Sequence, residues 1–448
     1  MRTNYHKKIN KIKLKKAVSL LVYMILILIF FASCGTSRKL HRDFQNQESV
    51  NHHFTGFVLY DPVAKKELIN HNGDKYFTPA SNTKLVTFYS AFKTFGDSVT
   101  SLYYLRKGDS LIIKGSGDPS FLYNFENNKT FDFLKNANEN IYIVDEKIQD
   151  ERYGSGWAWD DYNYYYQAEK SLFPIYGNVV NINLKIDTLA RSDTLIVRDS
   201  IQVYPKYFRK FVEVVDTLEI ERELYSNKFY YEKTDSSGTT IPFITSNRLV
   251  ADLLSDTLKK EIKLIQNSKK YKFKEFKGIK YSDLYREMLI VSDNFIAEQL
   301  MLQVANTKRN TFNVEEGIAY SMENYLAGFP QEPRWVDGSG LSRYNLISPR
   351  DYVYLLEKIY EEVPHKEFFS YLPIGGRQGT IKNNYKNSRP YIFAKTGTLS
   401  NNHNLSGYIR TKKGNIMIFS FMNNHYRLSH SEIKREMEKK LRIIYEKF

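Results

Sequence analysis

Apolar positions change their rhythm several times along the chain. Ala17–Ala32 is a run of 16 residues, apolar throughout but for Ser19. Thr55–Tyr60 and Glu67–Asn70 alternate with period two around Asp61-Pro62 and predict two short strands. Asn82–Phe95 has the spacing of a helix stopped at Gly96. From about 100 to 245 the alternation returns in LYYLRKGDSLIIKG, NIYIVDEKI, NVVNINLKID, DTLIVRDSIQVYP and FVEVVDTLEIERELY, each bounded by turn residues. Helical spacing reappears over Asn247–Leu264 and over Ser282–Val304, interrupted near Ser292. Tyr391–Asn423 predicts three antiparallel strands with a turn at Lys412–Asn415, and Ser429–Tyr445 a last helix. The sum is an α/β body with a large β-rich insertion between its early and late parts.

The apolar run at the start reads as an address. Arg2 to Lys16 is basic and free of acids, and a run of 16 residues suits the h-region of a signal peptide better than a membrane span. The run ends in Phe31-Ala32-Ser33-Cys34-Gly35, which resembles the bacterial lipobox, in which the cysteine is lipidated. Cys34 is the only cysteine in the chain, and a polar stretch follows it. The expectation is a lipoprotein signal peptide over 1–33, a tether over 34–53, and an exported body held to a membrane by lipid on the periplasmic side.

Charge changes this picture little. The net +15 falls to about +8 once the seven basic residues of 1–16 are set aside. The rest is scattered, with no basic helix stripe or nucleic-acid motif. A single cysteine excludes a disulfide framework, and none of the 9 histidines sits in a metal-binding spacing, so no metal or cofactor is expected.

The candidate chemistry lies in three short motifs. They are Ser81-Asn82-Thr83-Lys84 at the predicted helix start, Ser292-Asp293-Asn294 at the interruption, and Lys395-Thr396-Gly397 in the late strands. Ser90–Lys93 and Ser431–Lys434 also fit the first pattern, but Lys-Thr-Gly occurs once. Residues three apart on a helix share a face, so Lys84 reaches the Ser81 hydroxyl. The helix amino terminus offers free N–H groups where an oxyanion forms. A lysine desolvated beside another cation, such as Lys395, is neutral often enough to take a serine proton. Gly397, lacking a side chain, is expected to let a substrate backbone pair with its strand, with the Thr396 and Thr398 hydroxyls holding a terminal carboxylate.

In that order the three motifs are the signature set of penicillin-binding proteins and class A β-lactamases. The chain resembles the low-molecular-mass class C penicillin-binding proteins, the D-Ala-D-Ala carboxypeptidase family. PASNTKLVT, GSGDPSFL, YGSGWAWDDYNYYY, SDNFIAEQL, VDGSGLSRYNLISP, LPIGGRQGT, AKTGTLSNNHNLSGYI and MIFSFMNN look like its blocks in family order. The 211 positions between Ser81 and Ser292 fit a family that inserts domains there; class A β-lactamases keep that gap short, and no Glu-x-x-Leu-Asn follows Ser292.

The resemblance implies a serine β-lactamase/DD-peptidase-like α/β fold, an antiparallel sheet flanked by helices plus an all-helical part. Residues 54–100 and 246–448 would form the catalytic domain and 101–245 the insertion, with 153–178 returning to the active site. It implies Ser81 as nucleophile, Lys84 as its base, and Ser292, Asn294 and Lys395 as a proton-handling and orienting network. The oxyanion would sit between the N–H groups of Ser81 and Thr398. Asp161 and Arg343, with Tyr166 as a wall, would read the zwitterionic end of the stem peptide's diamino acid. The implied activity is a D-Ala-D-Ala carboxypeptidase or endopeptidase acting on peptidoglycan stem peptides and acylated by β-lactams. The alternatives are a β-lactamase or esterase on the same scaffold, or a non-catalytic envelope-binding lipoprotein. Ile381-Lys382-Asn383 departs from the family, which more often keeps an arginine nearby.

Overall fold

The computed structural model describes residues 35, 37–46, 48, 50–126, 129–191, 194–235, 237–266 and 272–448. The apolar run and Cys34, and with them the signal-peptide and lipobox readings, lie outside the described residues. No helix among the described residues is long and apolar enough to cross a membrane.

The central sheet joins the two ends of the chain. Strands β1 (Phe54–Asp61) and β2 (Lys66–His71) pair with each other, and β1 also pairs with β15 (Ile416–Asn424). With β14 (Asn402–Arg410) and β13 (Ile392–Leu399) the antiparallel order is β13-β14-β15-β1-β2. Helices cover both faces, which is why β14 and β15 are buried almost without interruption. Phe57, Leu59, Phe419 and Phe421 meet Ile433, Met437 and Leu441 of the last helix, while Val58, Phe393 and Ile418 meet the helical part.

The predicted strands and helices of this body appear nearly where the pattern put them. Helix α1 spans Thr83–Thr94, and the interrupted segment is two helices, α4 (Tyr281–Ile290) and α5 (Asn294–Arg309). Ser292 sits between them with φ +69°, and Asp293 caps α5 by accepting from the Ile296 N–H at 2.8 Å. Helices α6 (Val314–Asn324), α7 (Pro349–Glu362) and α8 (His365–Tyr371) complete the helical part, and α9 (His430–Lys447) closes the sheet.

Two expectations change. The stretch from 35 to 53 is not a free tether: its described residues up to 51 are helical. Leu40 and Phe44, four apart, are buried on Phe57 and Phe421, and the Glu48 carboxylate accepts from the Thr55 N–H at 2.6 Å. The many charges on the outer side of this helix mask a two-residue apolar anchor.

The return from the insertion also comes later than 246. Helix α3 (Asn247–Leu258) ends at Lys259 in the left-handed conformation, and β11 (Ile262–Gln266) then runs parallel to β5 (Asn140–Asp145). Strand β12 (Lys274–Lys280) pairs with β3 (Ser98–Lys107), so the second sheet, β11-β5-β4-β3-β12, is built from both ends of 98–280 (β4 is Ser110–Gly115). The buried residues of α3 pack with Leu102, Ile113 and Ile141 in a core of their own. The short helix α2 (Lys129–Lys135), a three-stranded sheet, β10-β6-β7 (Thr239–Pro242, Val179–Arg191, Thr194–Tyr204), and the pair β8 and β9 (Val212–Val215, Phe229–Glu232) complete the insertion.

Candidate active site

Ser81 lies in a single 3-10 turn, Ala80–Asn82, that opens α1. Ala80 has φ +49°, a strained conformation for alanine that turns the chain sharply into the helix. Two glycines make room for this turn. A Cβ on Gly340 would stand 1.9 Å from the Ala80 carbonyl oxygen, and one on Gly397 would stand 2.2 Å from that of Pro79. The bare face of Gly397 thus also receives the serine-bearing turn. β13 is an edge strand whose first half is covered by Pro373 and Gly375, so among the described residues only its later half, from Thr396 on, has no strand on its outer side.

Lys84 is fully buried, and its ammonium has three acceptors. They are Ser81 Oγ at 2.9 Å, Asn294 Oδ1 at 2.6 Å and the Ser339 carbonyl at 2.7 Å. Burial holds its pKa down to about 8, against the pull of the Asp337, Asp293 and Glu298 carboxylates. About a tenth of the molecules then carry the free amine at pH 7. The rival serines lack such an arrangement: Ser90 is buried, with Lys93 turned to Glu362 at 2.8 Å, and Ser431 bonds Ser429 at 3.0 Å.

The second and third motifs meet on the other side of the serine. Lys395 is fully buried and donates to Ser292 Oγ at 2.7 Å and to the Thr396 carbonyl at 2.9 Å. Burial, then the Lys84 charge, push its pKa well below the usual lysine range. Asn294 Nδ2 donates to the Tyr166 carbonyl at 2.9 Å, tying the motif to the segment that returns from the insertion.

The structure brings all of these residues to one cleft of about 1580 Å³, lined by Ser81, Ser292, Asn294, Thr396 and Thr398 together with Asp161, Tyr166 and Arg343. Burial raises the Asp161 pKa, opposed by the Tyr166 hydroxyl bonded to it and by the nearby Arg343 charge. The two threonine hydroxyls have partners within the protein: Thr396 Oγ1 lies 2.7 Å from Thr380 Oγ1, and Thr398 Oγ1 lies 2.8 Å from His403 Nδ1.

Several contributors escape sequence reasoning. Tyr123, from the insertion, donates its hydroxyl to Asp293 Oδ2 at 2.6 Å. Asp337 and Glu298 are buried carboxylates that hold the loop bearing Ser339. Asp337 accepts from the Gly340 and Ser342 N–H groups at 2.9 and 2.6 Å, and Glu298 from the Ser339 N–H at 2.7 Å. The Asp-Gly-Ser-Gly run is the one signal for this loop, since it marks a tight turn whose N–H groups need acceptors. Burial, then Asp337, raise Glu298 to about 7.

The sequence matches the D-Ala-D-Ala carboxypeptidase 3 (S13) family over residues 37–226 and 244–443. It is 25% identical over 391 residues to a penicillin-sensitive carboxypeptidase A of Dictyostelium discoideum, covering 74% of each chain. It is 22% identical to the D-alanyl-D-alanine carboxypeptidase DacB of Haemophilus influenzae, covering 85% of this chain and 87% of that one. The crystal structure of penicillin binding protein 4 from Haemophilus influenzae superposes with a TM-score of 0.71 at 20% identity, covering 88% of this chain and 97% of that one. That likeness carries the fold: an α/β body interrupted by an insertion. Since the match takes in most of the described sequence, including all three motifs around the cleft, the chain belongs to the D-Ala-D-Ala carboxypeptidase 3 (S13) family.

Proposed function

We propose that this chain cleaves the D-Ala-D-Ala end of peptidoglycan stem peptides through an acyl-enzyme on Ser81. The observation that carries the reading is the buried Lys84 amine, 2.9 Å from Ser81 Oγ, with its pKa held down to about 8 by burial.

In the reactive form the amine is neutral and the Ser81 hydroxyl donates to it. Ser81 Oγ attacks the carbonyl of the penultimate D-Ala as Lys84 takes the proton. The oxyanion is stabilised by the Ser81 and Thr398 N–H groups; the edge position of β13 and the helix start behind Ser81 favour this assignment. Collapse breaks the C–N bond, and the leaving amine receives a proton along Lys395 and Ser292, which are 2.7 Å apart. Water then hydrolyses the ester. When the leaving amine belongs to a single D-Ala the enzyme is a carboxypeptidase, and when it belongs to a cross-linked stem it is an endopeptidase. Asp161 and Arg343 take the ammonium and carboxylate of the diamino acid, with Tyr166 beside them. β-Lactams acylate the same serine, because their strained amide replaces the D-Ala-D-Ala bond.

Export by the apolar run, lipidation of Cys34 and action from the periplasmic side belong to the same proposal, supported by the lipobox-like ending and by the location of the substrate. Labelling with a fluorescent penicillin tests the core of it. Ser81→Ala abolishes the label, while Ser90→Ala and Ser431→Ala retain it; a label mapped to either rival serine overturns the assignment.

A further inference from the structure

Beyond Thr398 the cleft is lined by Leu399, Ser400, His403, His430 and Lys434. His403 is the direct cross-strand neighbour of Thr398, and its Nδ1 lies 3.0 Å from Nε2 of His430 at the start of α9. Lys434 follows one turn later on the same face of α9. Three basic side chains thus crowd one end of the cleft.

No carboxylate among the described residues answers them. Glu432 turns back to the Ser429 N–H at 2.9 Å, and Glu438 accepts from the Tyr385 N–H at 2.9 Å. The charges that act on the two imidazoles are their neighbours' own: His430 and Lys434 on His403, and Lys434 on His430. Burial lowers the pKa of all three groups, and a bound anion would reverse that shift. A half-buried lysine without a counter-charge in a substrate cleft is a position built for an anion from outside the protein.

The direction of the substrate identifies which anion. The leaving amine needs its proton from Ser292, so the leaving group lies at the Lys395 end of β13. The acyl part of the peptide therefore runs the other way, past Thr398 towards Ser400 and this basic corner. We propose that His403, His430 and Lys434 form an anion subsite for a free carboxylate on the acyl side of the stem peptide, upstream of the diamino acid. A γ-linked glutamate two residues before the attacked D-Ala leaves its α-carboxylate free on that side. The proposal rests on the acyl-enzyme reading above and adds a specificity for the carboxylate over its amide.

The test compares two synthetic stem peptides ending in D-Ala-D-Ala, one with the α-carboxylate of the γ-linked glutamate and one with the α-amide. The ratio of their kcat/KM values is read within each enzyme, so any loss of folded protein cancels. Wild-type enzyme prefers the carboxylate about tenfold. Lys434→Met brings the ratio close to unity, and Lys434→Glu inverts it. Equal turnover of the two peptides by wild-type enzyme, or a preference that survives in Lys434→Met, overturns the subsite. Failure of the acyl-enzyme reading has a different sign: wild-type enzyme then takes no penicillin label at Ser81 and cleaves neither peptide.

Discussion

Tyr123, carried by the insertion, donates its hydroxyl to the carboxylate of Asp293 in the catalytic body at 2.6 Å. The ring is confined as well: a Cβ on Gly177 would meet it at 2.5 Å, and Phe295 packs edge-on against it at 6.2 Å between centroids. Asp293 in turn caps α5 between Ser292 and Asn294. The insertion thus braces the second motif without contributing a reacting group.

Tyr123→Phe keeps the ring and removes that bond, leaving a buried carboxylate short of a donor. The expected loss is about 1–3 kcal/mol of stability, read as a lower urea midpoint. Acylation by penicillin and by peptide should fall together, since the Ser292-Asn294 pair serves both. Unchanged stability and rates would show that the contact is incidental.

The pH dependence of acylation should follow Lys84. Its folded pKa is lowered to about 8, and the amine is reactive when unprotonated, so the rate should rise with pH through that value and then level. Glu298 is one of the charges holding that pKa up. Glu298→Gln keeps an acceptor for the Ser339 N–H while removing the charge, and should move the rising limb to lower pH. A stopped-flow profile of penicillin acylation that does not move, or moves upward, contradicts the role given to Lys84.

Arg343→Ala and Asp161→Ala separate substrate reading from catalysis. Each removes a charge-assisted contact to the diamino acid that the proposed function assigns, and kcat/KM for a stem peptide should drop about 10–150-fold. Penicillin has no such group, so its acylation should change far less. Equal loss for penicillin and peptide would make the two residues structural.

The motifs were legible because their chemistry is local: a helix start, a helix break and a strand end each leave a mark in the spacing of a few residues. Ser81 to Lys84 is the clearest case, where three positions on one helix predict a contact found at 2.9 Å. What stayed hidden depends on partners far apart in sequence. Leu40 and Phe44 look like stray apolar residues until Phe57 and Phe421 are placed over them. Ile262–Leu264 reads as the tail of a helix because the partner of its strand, β5, lies over a hundred residues earlier. The room that Gly397 leaves for the Pro79 carbonyl is announced by nothing near it in sequence.

The joint at Gly397 has a consequence for drug insensitivity. The serine-bearing turn touches β13 at one side and the Gly340 loop at the other, backbone to backbone, with no side chain between to take up movement. A mutation that nudges the strand outward to slow a β-lactam must drag the nucleophile with it, and native turnover suffers alongside. Selective escape is therefore pushed to the periphery of the cleft, lined there by Asp161, Arg343 and Lys434, the residues proposed to read portions of the peptide for which a small bicyclic inhibitor has no counterpart.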